Sequence, residues 1–224
     1  MPVRKIPKNY LVVTGGFASK KNGRLVGFES LLEKDYMILL EYDDSVEGFE
    51  EQPVKIPVTA PKKRKTKYVP DVLVCYRQKS GPKQRKPLLV EIKSSRDLIK
   101  NKAKYAARFS AARKLAAEKG WIFKILDETD VRRPCLGFLK FLREYHCIDP
   151  STQDVAKVID GLKSLKGKAR YCDLIDHLCA ADDEKLERIP VIWHLVATKR
   201  ILTDLNQPVS DQVLLELPRR GTRS

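Results

Sequence analysis

The chain has no apolar run approaching the roughly 18 to 20 residues that a membrane span requires, and its first ten residues, MPVRKIPKNY, hold no apolar signal core. Both lacks point to a cytoplasmic protein with no membrane partner. It also lacks paired cysteines: the five at positions 75, 135, 147, 172 and 179 are odd in number and form no CxxC, which argues against a disulfide framework and a zinc ribbon. Reduced thiols are the expectation. Cys172, His177 and Cys179 fall close together, but a zinc site takes four ligands at recognisable spacing, so three residues on one packed helix is the simpler reading. No internal repeat or low-complexity tract is present. Negative charge is scarce too: 29 Asp and Glu stand against 44 Lys and Arg, a formal charge of +15 over 224 residues. Such an excess faces solvent or a polyanion, nucleic acid first. What is present is core material, 42% hydrophobic, enough for one sizeable domain or a medium one with an appendage.

Residues 1–27, with Gly15-Gly16 and Asn22-Gly23, read as an irregular surface arm containing a turn or short hairpin. From Ser30, Leu31, Leu32, Tyr36, Leu39 and Leu40 repeat at helical spacing up to Asp43-Asp44-Ser45, with Ser30 as N-cap. Three strands follow, around Val54 to Val58, Tyr68 to Tyr76 and Leu88 to Lys93, joined by exposed turns. A long helix is expected from about Ser95 to Lys119, ended by Gly120, then a strand from Trp121 to Leu126 and a short helix from Phe138 to Tyr145. This order suits an α/β mixed sheet flanked by helices. A boundary near Asp149-Pro150 divides domain 1–149 from domain 150–224. The second shows helical patterns over 152–163, 168–180 and 184–197, then Ile201 to Leu205 and Val213 to Leu217 around a polar loop. Three helices and a hairpin is the order of a winged helix.

Charged residues interrupt two apolar strands, in Tyr68-Val-Pro-Asp71-Val-Leu-Val and Leu88-Leu-Val-Glu91-Ile-Lys93. Strand alternation projects Glu91 and Lys93 from one face and Val90 and Ile92 from the other. Asp71 lies far enough upstream to reach them from a neighbouring antiparallel strand. Two carboxylates with a backbone carbonyl, that of Ile92, are hard oxygen donors suited to Mg²⁺, with Mn²⁺ as a substitute. A lysine beside them can orient or help deprotonate a water, or stabilise charge on a phosphoryl group. Phosphodiester hydrolysis is the chemistry this set fits. The competing reading is a structural ion pair between Asp71 and Lys93, costly in an apolar strand unless it serves a purpose. The run Lys62-Lys63-Arg64-Lys65, with Lys67, is a candidate DNA-backbone contact, against a plain solvated loop.

These residues match the D-x(n)-E-x-K signature of restriction-endonuclease-like nucleases. Taken with Phe28-Glu-Ser-Leu-Leu-Glu33, Leu39-Leu-Glu-Tyr-Asp43, Val46, Phe49-Glu-Glu-Gln-Pro53 and Tyr68-Val-Pro-Asp71, the chain resembles the TnsA family over roughly residues 10–130. The resemblance implies a PD-(D/E)xK catalytic domain with Glu33, Asp71, Glu91 and Lys93 as its active site, and Asp71, Glu91, the Ile92 carbonyl and Glu33 toward the metal. Some family members have glutamine at the position of Glu91. It implies a winged-helix-like C-terminal domain that contacts partner proteins. It also implies nicking of the 5′ ends of a transposon, beside a TnsB-like DDE transposase that cuts the 3′ ends and a TnsC-like ATPase regulator, on the nucleoid once assembled on DNA. Glu33 has a second reading, since Ser30-x-x-Glu33 is a capping box. Gln52 is a supporting candidate that orients the lysine or a water, or simply ends a turn before Pro53. Two other functions compete: a stand-alone restriction or repair nuclease of the same fold, and a non-catalytic DNA-binding regulator.

Overall fold

The computed structural model describes residues 13–59, 65–78 and 84–219. They fall into two units, one up to Arg133 and one from Pro134. In the first, strands β1 (Gly15–Ser19) and β2 (Arg24–Phe28) form an antiparallel hairpin. It turns through Gly23, whose φ of +62° favours glycine. The hairpin is not a surface arm: Phe17 and Val26 are fully buried. Helix α1 (Leu31–Tyr42) starts where Ser30 Oγ accepts the Glu33 N–H. From its last turn the buried Glu41 carboxylate accepts Ser19 Oγ at 2.7 Å and the N–H groups of Lys20 at 2.9 Å and Lys21 at 3.1 Å. The hairpin is thereby fastened to the helix.

Strands β3 (Val46–Glu51), β4 (Ile56–Thr59), β5 (Lys65–Tyr68), β6 (Val72–Tyr76) and β7 (Leu88–Ile92) follow. Next come α2 (Ser95–Lys100), α3 (Lys102–Glu118), β8 (Ile122–Leu126) and α4 (Glu128–Val131). The central sheet runs β3-β6-β7-β8, antiparallel except for the parallel β7–β8 pair. That pair requires a crossover, which α2 and α3 supply. Beside it, β4 and β5 form a separate antiparallel ribbon. Ile56, Val58 and Tyr68 of the ribbon pack with Tyr105, Phe109 and Ala112 of α3 in one apolar cluster.

Three further expectations for this unit are corrected. The segment from Tyr68 to Tyr76 is two strands in different sheets, separated at Pro70-Asp71, because proline cannot donate to a ladder. A strand not expected, β3, forms the sheet edge. The long helix breaks at Asn101, whose side chain donates to Asp97 Oδ1 at 2.6 Å. Gly120 does close α3, with φ of +70°.

The second unit contains α5 (Leu136–Arg143), α6 (Thr152–Ser164), β9 (Lys168–Arg170), α7 (Tyr171–Leu178), α8 (Asp182–Ala197) and β10 (Leu214–Glu216). It begins earlier than the expected boundary at 149/150, because Phe138 and Phe141 of α5 pack edge-on against Trp193 of α8, with centroids 6.0 and 5.0 Å apart. The expected helix over 168–180 starts instead as a strand: Lys166 and Gly167 have φ of +62° and +78°, ending α6, and β9 then pairs with β10. The expected hairpin between Ile201–Leu205 and Val213–Leu217 reduces to one bridge, Leu202 with Glu216. Cys172 and His177 lie on α7 and Cys179 caps it.

Candidate active site

The site is built at the ends of β6 and β7. Asp71 precedes β6, and its N–H donates to Val90 O at 3.0 Å, which extends the β6–β7 ladder by one residue. Its carboxylate turns toward β7, where Oδ2 accepts the Ile92 N–H at 2.6 Å. On β7, Val90 and Ile92 are buried in the apolar layer. Glu91, on the opposite face, is 3% exposed. Lys93 leaves the strand beside it, with its own N–H on Leu126 O at 3.1 Å.

These side chains meet at one point, the Lys93 ammonium. Nζ lies 3.1 Å from Asp71 Oδ2, 3.0 Å from Glu91 Oε1 and 3.0 Å from the Ile92 carbonyl oxygen. The second oxygen of Glu91, Oε2, accepts the Tyr68 hydroxyl at 2.7 Å. Three of the four expected site residues therefore make direct contact.

Glu33 stands at the edge of this group. Its carboxylate accepts the Glu29 N–H at 2.8 Å and Ser30 Oγ at 2.9 Å, so the capping box is formed. No hydrogen bond joins it to Asp71 or Lys93 among the described residues, yet both act on its titration. The capping and site readings are compatible, because the first turn of α1 delivers the carboxylate to the site. Burial, then the Asp71 charge, raises the Glu33 pKa to about 8, opposed by Lys93 and Ser30. Burial, then Asp71, also raises Glu91 to about 7, opposed by Lys93 and the Tyr68 hydrogen bond. Burial alone would lower the Lys93 pKa, but the Asp71 and Glu91 carboxylates outweigh it and the group is raised. The lysine is held as a cation. Burial and the adjoining Glu91 carboxylate raise the Tyr68 hydroxyl pKa, so the phenol remains a donor.

Gln52 touches the site through its backbone. Its N–H donates to Asp71 O at 2.8 Å, and its φ of +47° is left-handed, a strained conformation for a residue with a Cβ. The residue is 6% exposed, and its side-chain Oε1 is buried without a hydrogen-bond partner. It does not bond to Lys93 among the described residues. Of the basic run, Lys62, Lys63 and Arg64 lie outside the described residues; Lys65 opens β5, and Lys67 is exposed on it. The residue that the spacing did not single out is Tyr68. A phenol three positions before Asp71 is the trace it leaves in the sequence, but only the placement of β5 brings it to Glu91.

Among the described residues, no three His, Cys, Asp or Glu side chains gather into a ready cage for a metal. The donor set is of another kind, two carboxylates and a carbonyl facing one ammonium. Hard oxygens that already surround a positive charge fit a small divalent cation of the Mg²⁺ type. Asp71, Glu91 and the Ile92 carbonyl are the residues that would hold it.

No curated protein is significantly similar to the chain. Residues 43–128 match the family described as TnsA-like endonuclease, N-terminal. That span contains β3 to β8, and with them Gln52, Asp71, Glu91 and Lys93. Through this segment the chain is similar to the TnsA-like endonuclease N-terminal family.

Proposed function

We propose that the protein is a metal-dependent DNA endonuclease that cleaves the 5′ ends of a transposon during cut-and-paste transposition, beside a DDE transposase subunit. The observation that carries this reading is the convergence of Asp71, Glu91 and the Ile92 carbonyl on the Lys93 ammonium, inside the segment that matches the endonuclease family.

When bound, Mg²⁺, or Mn²⁺ in its place, supplies Lewis acidity at a phosphoryl oxygen and an activated water. Asp71 and Glu91 bring carboxyl oxygens on rigid strand ends, and Glu33 brings a further carboxyl group beside them. Lys93, kept charged by them, offers a donor to the oxygens on which negative charge builds as the water oxygen attacks phosphorus and the ester P–O bond breaks. The Ile92 N–H fixes the Asp71 carboxylate, so Oδ2 stays in the site without help from solvent. A restriction-endonuclease-like fold for residues 1–133 agrees with the mixed sheet β3-β6-β7-β8 flanked by helices.

Charge divides the labour between the units. Residues 1–133 hold 30 Lys and Arg against 16 Asp and Glu, whereas residues 134–224 hold 14 against 13. DNA is thus assigned to the first unit, with Lys62, Lys63, Arg64, Lys65 and Lys67 as backbone contacts. A winged-helix reading of the second unit is supported by the order α6-β9-α7-α8 with β10 returning to β9. Its near-neutral charge favours protein partners, the TnsB-like transposase and the TnsC-like ATPase regulator, over a polyanion. No helix among the described residues is long and apolar enough to cross a membrane.

The test is Mg²⁺-dependent nicking of DNA carrying the cognate transposon ends, with the neighbouring transposase present. Loss of 5′-strand cuts in both Asp71→Ala and Lys93→Ala, with folding and assembly retained, is the expected result. Undiminished 5′ cutting would place the chemistry elsewhere.

A further inference from the structure

Tyr68 ends β5, in a ribbon that does not belong to the sheet carrying the site. The residue is 4% exposed, and its ring sits edge-on to Phe109 of α3, with centroids 6.5 Å apart. Phe109 is in turn stacked on Tyr105 at 5.2 Å. This packing leaves the phenol little freedom. Its hydroxyl donates to Glu91 Oε2 at 2.7 Å, while Glu91 Oε1 faces the Lys93 ammonium at 3.0 Å. The two oxygens of one carboxylate are therefore assigned to different neighbours. Turning Oε2 toward the point where Asp71 and the Ile92 carbonyl converge would strand a buried hydroxyl without an acceptor, which is unfavourable.

Divalent cations differ in what they ask of a carboxylate. Ca²⁺ takes about six to eight oxygens and readily accepts both from one carboxylate, whereas Mg²⁺ holds to six in a near-ideal octahedron. We propose that Tyr68 is a positioning residue that restricts Glu91 to one donor oxygen and so selects Mg²⁺ and Mn²⁺ over Ca²⁺ at this site. The assignment rests on the metal-dependent reading of the site given above.

Mn²⁺ bound to the full chain can be followed by electron paramagnetic resonance while Mg²⁺ or Ca²⁺ is titrated in as competitor. In the wild type, Mg²⁺ displaces Mn²⁺ more readily than Ca²⁺ does. Tyr68→Phe keeps the ring and removes the hydroxyl; it weakens Mg²⁺ roughly 10-fold, as loss of a partner behind a metal ligand does, and leaves Ca²⁺ equal or tighter. The Ca²⁺ to Mg²⁺ preference thus rises about tenfold, and inhibition of cleavage by Ca²⁺ strengthens with it. Phe109→Leu, which loosens the packing and keeps the hydroxyl, retains the wild-type preference.

Equal losses of both ions in Tyr68→Phe, or the same change of preference in Phe109→Leu, would overturn the assignment in favour of simple packing. Wild-type protein that prefers Ca²⁺ overturns it without recourse to any variant. Wild-type protein that binds no Mn²⁺ defeats the metal-dependent reading itself, and the role of Tyr68 with it.

Discussion

The carboxylate of Asp71 accepts the backbone N–H of Ile92 at 2.6 Å and, through the same oxygen, the ammonium of Lys93 at 3.1 Å. One atom thus serves both the strand ladder and the proposed chemistry. Asp71→Asn keeps an acceptor for Ile92 and removes the charge, whereas Asp71→Ala removes both. Asp71→Asn is expected to stay within about 1 kcal/mol of wild-type stability, and Asp71→Ala to lose about 1–3 kcal/mol. Both lose cleavage by roughly 10²-fold or more. Urea unfolding beside a nicking assay separates the two effects, and full cutting by Asp71→Asn would remove Asp71 from the chemistry.

The pH dependence of the metal-free protein has a definite sign. Glu33 and Glu91 hold their protons to about pH 8 and 7 in the folded chain, while an unfolded chain releases them near ~4.3. The stability they contribute is complete below that lower value and is lost as pH rises through the folded values. In EDTA the melting temperature is expected to fall between about pH 5 and 8, and Glu33→Gln should flatten that decline. Millimolar Mg²⁺ should flatten it in the wild type. Parallel melting curves for Glu33→Gln and wild type would show that Glu33 is ionised throughout.

Neutralising Lys62, Lys63 and Arg64 to alanine should weaken DNA binding to all sequences alike and reduce the slope of log affinity against log salt by roughly 0.9 for each phosphate no longer neutralised. Neutralising Lys166 and Lys168, in the near-neutral second unit, should leave the slope unchanged. Fluorescence anisotropy at several salt concentrations measures both. An unchanged slope in the first variant would assign the run to solvent.

Gly161, on α6, is set against α7 so closely that an added Cβ would meet Leu178, with Cγ at 3.2 Å and Cδ2 nearer still. Gly161→Ala gains helix propensity of about 1 kcal/mol, but overpacking costs about 1–3 kcal/mol. A net loss is expected in chemical unfolding of the full chain, recovered in part by Leu178→Ala. A more stable Gly161→Ala would contradict so close an approach of the two helices.

Much of the first unit is legible in the residue order, because its signals are local. Ser30 caps α1 and Gly120 closes α3 as spacing suggests. Strand β3 escapes notice for a physical reason. Val46–Glu51 carries Glu47, Glu50 and Glu51, and a bulge between Val46 and Gly48 breaks the alternation that marks a strand. The break at Asn101 has no proline or glycine to announce it. The early start of the second unit depends on ring contacts between residues about 50 positions apart, Phe138 and Phe141 with Trp193, which no local pattern encodes.

At the site the division is sharper. Strand alternation alone puts Glu91 and Lys93 on one face, since a period of two is a local property of the backbone. Charge balance, capping and the acidic interruption of apolar strands are likewise local. Whether Asp71 reaches that face depends on the register of β6 against β7, and a slip of one residue would turn its carboxylate to the opposite side. The two readings of Glu33, cap or site, are reconciled only by tertiary structure, which sets its capping carboxylate within electrostatic reach of Asp71 and Lys93. That Tyr68 reaches Glu91 depends on α3 pressing the ribbon into place through Tyr105 and Phe109. Residue types and their local spacing follow from the chain itself; the meeting of Asp71, Glu91, Lys93 and Tyr68 is decided by long-range packing, which sets distances that no spacing specifies.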